Sequence, residues 1–291
     1  MALERLNSQQ FDQFRDLIYE NSGIRMGKNK VSLLSNRIRG RVNAGGFDDF
    51  DAYYRFLTSP EGAGEIDGFL DAVTTNETYF FRTEKQFDWF KKDWLGEQIS
   101  QHRAGRRKAE LRIWSAGCAD GAEPYSIAIC LAENHYRLRD WSLQVIGTDI
   151  SNEMLDVARA GTFKPRSVEA ITERQRRRFF QSHSETDRWQ VRPSIQQLVE
   201  FKHHNLMKPI NERQFDCIFI RNVLIYFDAQ SKRTVINNLR KALAVGGYLV
   251  VGPSEGVYEL LHDMKRVSPL IYQKVDESSA GIERSRRGAQ Q

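Results

Sequence analysis

A short turn rich in glycine and acidic residues joins an apolar strand to an apolar helix between residues 113 and 129, IWSAGCADGAEPYSIAI. Gly117 and Gly121 allow the backbone to turn sharply and to approach a ligand closely. The G-x-x-x-G spacing differs from the dinucleotide pattern G-x-G-x-x-G, and Asp120 and Glu123 stand where a diphosphate would need free N–H groups. The turn therefore predicts a ligand that is neutral or cationic in this part.

A second predicted strand ends in Asp149, about thirty residues after the turn, where Rossmann-like sites use an acid to hold ribose hydroxyls. A nucleoside that carries a positive centre satisfies both segments, and S-adenosylmethionine is the common ligand of this kind. His203 and His204 are adjacent, so they point to opposite faces of a strand, and no metal site is expected.

Two further segments place polar groups near strand ends. The loop 74–82, TTNETYFFR, mixes Asn76, Thr78 and Arg82 with three aromatic residues. The aromatic residues alone are explained by packing between two domains, but the polar residues are not. The strand 215–221 leads into Asn222, whose amide suits a base edge or a carboxylate, with a capping role as the alternative. Glu255 is expected to be a loop carboxylate.

A basic stripe lies on the second predicted helix, which runs from about Lys28 to Val42. Lys30, Arg37 and Arg41 are seven and four residues apart, so they share one side of the helix. The spacing leaves open a solvated face and a docking surface for an acidic partner.

Composition limits the class of protein. The 291 residues contain no run approaching the ~20 apolar residues that cross a bilayer and no secretory signal, so a cytoplasmic protein is expected. Cys118, Cys130 and Cys217 are irregularly spaced within predicted core elements, which favours reduced, structural thiols. The net charge of +5 comes partly from the C-terminal tail, so it is weak support for nucleic-acid binding.

The alternation of strands and helices after residue 108 predicts an α/β protein with a mostly parallel sheet. Ser8 is the expected cap of the first helix, and capping boxes are expected at Thr83/Gln86 and Thr172/Gln175. The predicted strands are 111–115, 143–148, 199–203, 215–221, 248–252 and 270–274. The predicted parts are a helical domain (1–83), a linker helix and connector (84–107), an α/β domain (108–275) with a small insertion (about 172–199), and a disordered tail (276–291).

Five segments in register resemble the CheR family, the chemotaxis receptor glutamate methyltransferases. They are 76–82 (NETYFFR), the turn 117–126 with EPYS, 148–151 (TDIS), 205–206 (NL) and 221–228 (RNVLIYFD). The resemblance extends from the N-terminal helices to about residue 275. It implies a small all-α domain, then a Rossmann-like S-adenosylmethionine-dependent methyltransferase domain with a small inserted β subdomain.

The resemblance also implies roles for particular residues. The cofactor-binding residues would be Asn76, Thr78, Arg82, Gly117, Glu123, Asp149, Asn205, Leu206, Arg221 and Asn222. Arg82 and Tyr226 are the candidates for the catalytic role. The basic helix faces the receptor in that family, which favours docking by Lys30, Arg37 and Arg41 over a solvated face. The family usually has two acids before Pro-Tyr-Ser, whereas this chain has Ala122 and Glu123.

The resemblance implies methyl-ester formation on receptor glutamates, with S-adenosylhomocysteine as product. The implied partner is the cytoplasmic domain of methyl-accepting chemotaxis proteins. The enzyme is expected to be a monomer that binds no nucleic acid and does not insert into the membrane. A nucleic-acid methyltransferase of the same fold is the first alternative, although this chain has Arg221-Asn-Val-Leu in place of an N-P-P-Y-like strand end. A non-catalytic scaffold that senses the cofactor is the second.

Some family members hold a receptor's C-terminal peptide on the inserted subdomain as an extra strand. The hairpin turn expected there, from Ser182 to Arg188, contains no glycine, and its side chains would crowd such a peptide. We therefore expect this chain to act without that tether.

Overall fold

The structure, a computed structural model, describes residues 5–183 and 187–276. Four helices form the N-terminal domain around one apolar core: α1 (Ser8–Ser22), α2 (Val31–Ala44), α3 (Phe50–Leu57) and α4 (Ile66–Val73). The expectation that Ser8 caps α1 is wrong by one residue. Asn7 is the cap, because its side chain accepts from the Gln10 N–H at 2.9 Å while the Gln10 side chain accepts from the Asn7 N–H at 3.1 Å.

A long helical segment connects the domains: α5 (Glu84–Trp89), a π-helical turn (Phe90–Trp94) and α6 (Leu95–Arg103). Phe87 is buried, and Phe90 stacks on Trp94 with ring centroids 4.6 Å apart. The predicted capping box at its start is wrong. Thr83 has a left-handed backbone (φ 62°), and the Gln86 amide instead donates to the Val251 carbonyl at 2.8 Å.

The α/β domain follows. Its elements in chain order are β1 (Glu110–Ala116), α7 (Ala122–Glu133), β2 (Ser142–Asp149), α8 (Asn152–Ala160), β3 (Thr162–Phe163), α9 (Glu173–Phe179), β4 (Phe180–His183), β5 (Arg188–Val191), α10 (Pro193–Gln196), β6 (Val199–His203), β7 (Phe215–Ile220), α11 (Ala229–Ala242), β8 (Leu243–Val251), β9 (Lys265–Ser268) and β10 (Ile271–Gln273).

Seven strands form one sheet in the order β6-β2-β1-β7-β8-β10-β9. The first five are parallel, and β10 and β9 are antiparallel additions at one edge. All six predicted strands are confirmed; β6 has the predicted bounds, and the other five have shifted ends. The sequence did not reveal β9, because this exposed edge strand has no apolar run. The sheet order reverses beside β1, so the carboxyl ends of β1, β2 and β7 meet where α/β sheets bind ligands.

Apolar side chains cover both faces of the sheet. The α5–α6 segment and α7 pack on one face, where Phe87 lies against Phe219 with ring centroids 5.9 Å apart. Helix α11 covers the other face through Val235, Ile236 and Leu239. The central strands are therefore buried on both sides, which explains their nearly continuous apolar sequences.

The insertion is a small antiparallel sheet in the order β3-β5-β4. It begins earlier than the predicted residue 172, because β5 pairs with β3 as well as with β4. The Thr172/Gln175 capping box is confirmed. Residues 184–186 of the glycine-free turn, and the predicted disordered tail beyond residue 276, lie outside the described residues. In the part of the chain that the structure describes, no helix is long and apolar enough to cross a membrane.

Candidate cofactor and acceptor site

A cleft with about 1340 Å³ of empty space, including its open mouth, lies between the N-terminal domain and the carboxyl ends of β1, β2 and β7. It brings together every site residue expected from the sequence except Arg41. The expected residues that line it are Lys30, Arg37, Asn76, Thr78, Arg82, Gly117, Glu123, Asp149, Asn205, Leu206, Arg221, Asn222 and Tyr226.

The turn after β1 forms one wall. Its backbone is held by the Thr148 carbonyl, which accepts from the N–H groups of Gly117 at 2.8 Å and Cys118 at 2.9 Å. Gly117 has a φ of 77°, and a Cβ there would lie 2.4 Å from a methyl group of Val223. Glycine is therefore required both by the backbone conformation and by the close approach of the loop after β7.

Asp149, at the end of β2, is buried and held by backbone N–H groups. Its two carboxylate oxygens accept from Ala119 at 2.8 Å and from Ser151 at 2.9 Å. Burial raises the pKa of the Asp149 carboxyl, while these N–H groups oppose the rise. Each carboxylate oxygen has a second lone pair, so the fixed group retains capacity to accept hydroxyl donors.

Glu123 and Arg221 form a buried ion pair. One Glu123 oxygen accepts from the Ser115 hydroxyl at 2.7 Å and the other from the Arg221 guanidinium at 3.0 Å. The Arg221 side chain is 1% exposed. It also donates to the Arg82 carbonyl and lies over the Phe87 ring, 5.4 Å from its centroid. Burial lowers the pKa of Arg221. Arg221 therefore fixes the Glu123 carboxylate and the main chain at Arg82.

The loop 74–82 combines both roles considered from the sequence. Phe80 and Phe81 are buried in the core, and the Phe81 N–H donates to the Ser126 hydroxyl at 3.0 Å. Arg82 is half-buried at the cleft; its guanidinium donates to the Glu77 carbonyl at 3.0 Å and lies over the Tyr79 ring. No carboxylate pairs with Arg82 among the described residues. Its charge is therefore available to an acidic ligand.

The loop after β7 is the opposite wall. Asn222 has a left-handed backbone (φ 59°), and its side-chain Oδ1 is buried without a hydrogen-bond partner among the residues that the structure describes. Its N–H and that of Leu224 donate to the carboxylate of Glu255. Glu255 is thus a loop carboxylate, as the sequence indicates, but it is 1% exposed. Nothing in the sequence around Glu255, which lies four residues after the last residue of β8, indicates this contact with the loop after β7.

The segment from Ser22 to Gly27, here called the interdomain strap, closes the cleft from the N-terminal side. Ile24 forms an antiparallel bridge with Phe227, and the Arg25 N–H donates to the Tyr226 carbonyl at 2.8 Å. The Arg25 side chain lines the cleft near Asp228, with 3.4 Å between the charged atoms. Sequence reasoning missed Arg25, because nothing in the local pattern brings it to Tyr226.

Asn205 also joins the two domains. Its amide donates to the Asn21 carbonyl at 2.6 Å and accepts from the Met207 N–H at 3.0 Å. Both polar ends of this side chain therefore hold the protein together at the cleft wall. Leu206, the next residue, is buried beside it and offers an apolar surface to the cleft.

The basic stripe is divided between the cleft and the N-terminal domain. Lys30 and Arg37 line the cleft, and Arg37 also donates to the Val73 carbonyl and the Thr75 hydroxyl, at 2.5 and 3.0 Å. Arg41 pairs with Glu65 at 2.5 Å. The stripe therefore presents two cations to the cleft, while Arg41 has an internal partner.

Metal binding finds no support in the described ranges 5–183 and 187–276, where no group of three His, Cys, Asp or Glu residues could hold an ion. His203 contacts the Ile150 carbonyl at 2.9 Å. The three cysteines are free thiols and are buried, as the sequence predicts.

Comparison with known proteins gives consistent matches over most of the chain. Residues 76–271 match the family model "CheR methyltransferase, SAM binding domain", and residues 9–74 match "CheR methyltransferase, all-alpha domain". The chain is 35% identical over 272 residues to chemotaxis protein methyltransferase 1 of Pseudomonas aeruginosa, covering 90% of this chain and 96% of the relative. It is 32% identical over 271 residues to the chemotaxis protein methyltransferase of Salmonella typhimurium, covering 92% and 90%.

Solved structures also match in part. The glycopeptide N-methyltransferase MtfA in complex with S-adenosylmethionine has a TM-score of 0.32 and 13% identity, over 53% of this chain and 48% of that chain. An O-methyltransferase region, StiE O-MT, has a TM-score of 0.33 and 14% identity, over 68% and 49%.

Proposed function

Because the chain belongs to the CheR methyltransferase family and carries both of its domains in order, we propose that it methylates glutamate side chains of chemotaxis receptors, forming methyl esters. Residues 76–271 are its S-adenosylmethionine-binding domain. The proposed substrate is the cytoplasmic domain of a methyl-accepting chemotaxis protein. This substrate places the enzyme in the cytoplasm, where we expect it to act as a monomer without nucleic acid or membrane insertion.

The observation that carries the proposal is the distribution of charge in the cleft. Glu123 and Asp149 lie at the strand ends, where the fold places the cofactor, and cations line the side formed by the N-terminal domain and the loop 74–82. These cations are Arg25, Lys30, Arg37 and Arg82, against one acid on that side, Glu77; on the strand side the cation Arg221 is paired with Glu123. An anionic acceptor beside a cationic donor suits this arrangement, since each meets charges of opposite sign.

The residues present fit S-adenosylmethionine. The fixed carboxylate of Asp149 suits ribose hydroxyls, and the buried Oδ1 of Asn222 has no partner among the described residues and can accept from a ligand. We assign Glu123 to the ribose as well, and the loop around Asn76 to the methionine end. When bound, the cofactor supplies a methyl group already activated on sulfur, so an ionised glutamate (pKa ~4.3) needs no general base.

Positioning is then the main catalytic task. Arg82 orients the acceptor carboxylate, because a guanidinium binds carboxylates through two parallel donors. This pairing must orient more than it neutralises, since stabilising the ground state opposes the reaction. Tyr226 is the second group at the acceptor. Glu123 and Asp149 hold the donor, and the strap limits access of water from the N-terminal side.

Transfer of a labelled methyl group tests the proposal. The enzyme is incubated with methyl-labelled S-adenosylmethionine and a receptor cytoplasmic domain, and the product is treated with base. We expect the label to be released as volatile methanol, because esters are cleaved by base and N-methyl groups are not. A receptor with its accepting glutamates changed to alanine is the control. In a parallel incubation with nucleic acid, base-stable label on that nucleic acid would favour a nucleic-acid methyltransferase. Cofactor binding without any methyl transfer would favour a non-catalytic scaffold.

A further inference from the structure

One carboxylate outside the cleft holds the main chain of the loop that forms its wall. Glu255 follows β8, is 1% exposed and is absent from the cleft lining. Its Oε2 accepts from the Leu224 N–H at 2.7 Å, and its Oε1 accepts from the Asn222 N–H. Lys232 donates to the Glu255 main-chain carbonyl at 2.7 Å, so the segment that carries the carboxylate is itself held in place.

The loop that Glu255 holds supplies Asn222, Val223, Tyr226 and Phe227 to the cleft. Asn222 is in the left-handed region, which asparagine tolerates better than other non-glycine residues. Val223 lies so close to Gly117 that no Cβ fits between them. A small displacement of this loop would therefore change both walls of the cofactor site.

We propose that Glu255 is a positioning residue for S-adenosylmethionine, acting through the main chain of Asn222 and Leu224. The proposal rests on the proposed function only in taking this cleft as the cofactor site. A carboxylate suits the task because both of its oxygens accept and neither carries a proton. A glutamine would offer one acceptor and place an NH₂ donor against the second N–H, so the loop would have to move.

Burial makes the ionised form of Glu255 less favourable. It raises the pKa of the Glu255 carboxyl, while the N–H groups of Asn222, Leu224 and Val223 favour the ionised form. A charge buried at such a cost is retained where its hydrogen bonds fix a geometry that an uncharged residue does not reproduce.

Calorimetric titration with S-adenosylhomocysteine tests this role without any acceptor. We expect Glu255→Gln to lower the affinity about tenfold, since one main-chain hydrogen bond to a charged group is lost at the cofactor wall. The matched control is Glu212→Gln, which removes a carboxylate paired with Arg112 and Lys202 outside the cleft. The control should lower the melting temperature and leave the affinity unchanged.

A double-mutant cycle separates positioning from general destabilisation. If Glu255 holds the main chain of Asn222 so that the Asn222 side chain meets the cofactor, removing that side chain removes the benefit, and Glu255→Gln should change the affinity less than about threefold in an Asn222→Ala background. An equal loss in both backgrounds, or wild-type affinity in Glu255→Gln, overturns the proposal. Should the glutamine variant not fold, Glu255→Asp replaces it; its shorter carboxylate should also bind more weakly, and unchanged affinity overturns the proposal equally. A wild-type enzyme that binds S-adenosylhomocysteine but methylates no receptor contradicts the proposed function alone.

Discussion

At the scale of single residues, the site is organised by groups that fix other groups before any ligand binds. Arg221 holds the Glu123 carboxylate and the Arg82 main chain, and the turn after β1 holds Asp149. Arg82 differs from these residues because its guanidinium has one carbonyl partner and no carboxylate in the described part of the chain. We therefore assign to the acceptor an arginine whose charge no carboxylate of the described residues pairs with.

Arg82→Ala is expected to lower kcat by about a hundredfold and to change the affinity for S-adenosylmethionine much less, because an unoriented acceptor reacts slowly. Arg82→Lys should recover little, since an ammonium lacks the two parallel donors of a guanidinium. Single-turnover kinetics and calorimetry measure the two effects. Lys85→Ala, which removes an exposed charge nearby, is the control. Normal turnover with weakened cofactor binding would show that Arg82 only binds.

The sequence predicted the residues whose roles follow from their own element. Asp149 ends a strand and Gly117 begins a turn, so their places follow from the alternating pattern. Glu255 and Arg25 were not recognised as parts of the site, because each acts on the loop after β7 from a distant part of the chain. Such contacts depend on tertiary structure, which no local spacing encodes.

At the scale of elements, the turn between β1 and α7 contains a partly buried acid, Asp120. Asp120 accepts from the Ala122 N–H at 3.1 Å but does not line the cleft. Burial raises its pKa from 3.8 to about 6. The folded protein therefore binds this proton more tightly than the unfolded chain does, and ionisation of Asp120 destabilises the fold as the pH rises from about 4 to about 6.

Asp120→Asn should thus stabilise the protein at pH 7.5 by up to about 3 kcal/mol, the free energy that corresponds to this pKa difference. The stability difference between Asp120→Asn and wild type should shrink as the pH falls through 6. It should vanish below about pH 4, where Asp120 is protonated and both side chains are neutral. Urea unfolding across this pH range measures it. Asp156→Asn, on the exposed side of α8, should show no such trend. A pH-independent difference between Asp120→Asn and wild type would contradict the assignment.

Lys30, which directly precedes α2, and Arg37 on α2 are the proposed docking cations. Lys30→Glu and Arg37→Glu should each raise the KM for receptor about three- to tenfold at low salt, and the wild-type rate should fall as salt increases. Steady-state kinetics at two ionic strengths measure both effects. Arg233→Glu, an equal charge change at an exposed site on α11, is the control. Arg41 is left intact, because its pairing with Glu65 would make a reversal disturb the domain. Salt-independent turnover with wild-type KM would indicate a solvated face.

The elements themselves were largely predictable, because apolar periodicity determines them. The predicted starts of α5 and of the inserted sheet are wrong because contacts in the tertiary structure determine them. Thr83 does not cap α5, because its backbone is left-handed, and the Gln86 side chain donates to the Val251 carbonyl on β8 instead. The inserted sheet begins at Thr162 because β5 pairs with two strands, and a two-residue strand such as β3 leaves no period in the sequence.

At the scale of the whole molecule, the inserted sheet is a possible second contact with the receptor. Its outer strand β4 pairs with β5 on one side, and the turn between them has no glycine. We expect C-terminal peptides of the cognate receptors to show no micromolar binding to this enzyme by calorimetry. Deleting those receptor tails should leave methylation rates unchanged, because docking on the body of the receptor suffices. A micromolar isotherm, or a rate that depends on the tail, would contradict this expectation.

The interdomain strap joins the N-terminal helices to the loop that carries Tyr226 by main-chain contacts. The Arg25 N–H donates to the Tyr226 carbonyl in the loop after β7, and Ile24 forms an antiparallel bridge with Phe227 in the same loop. Main-chain contacts of this kind survive most side-chain replacements, since nearly any residue presents the same N–H and C=O groups. Substitutions that change the charge or shape of the N-terminal helices should therefore leave the register of the loop that carries Tyr226 unchanged.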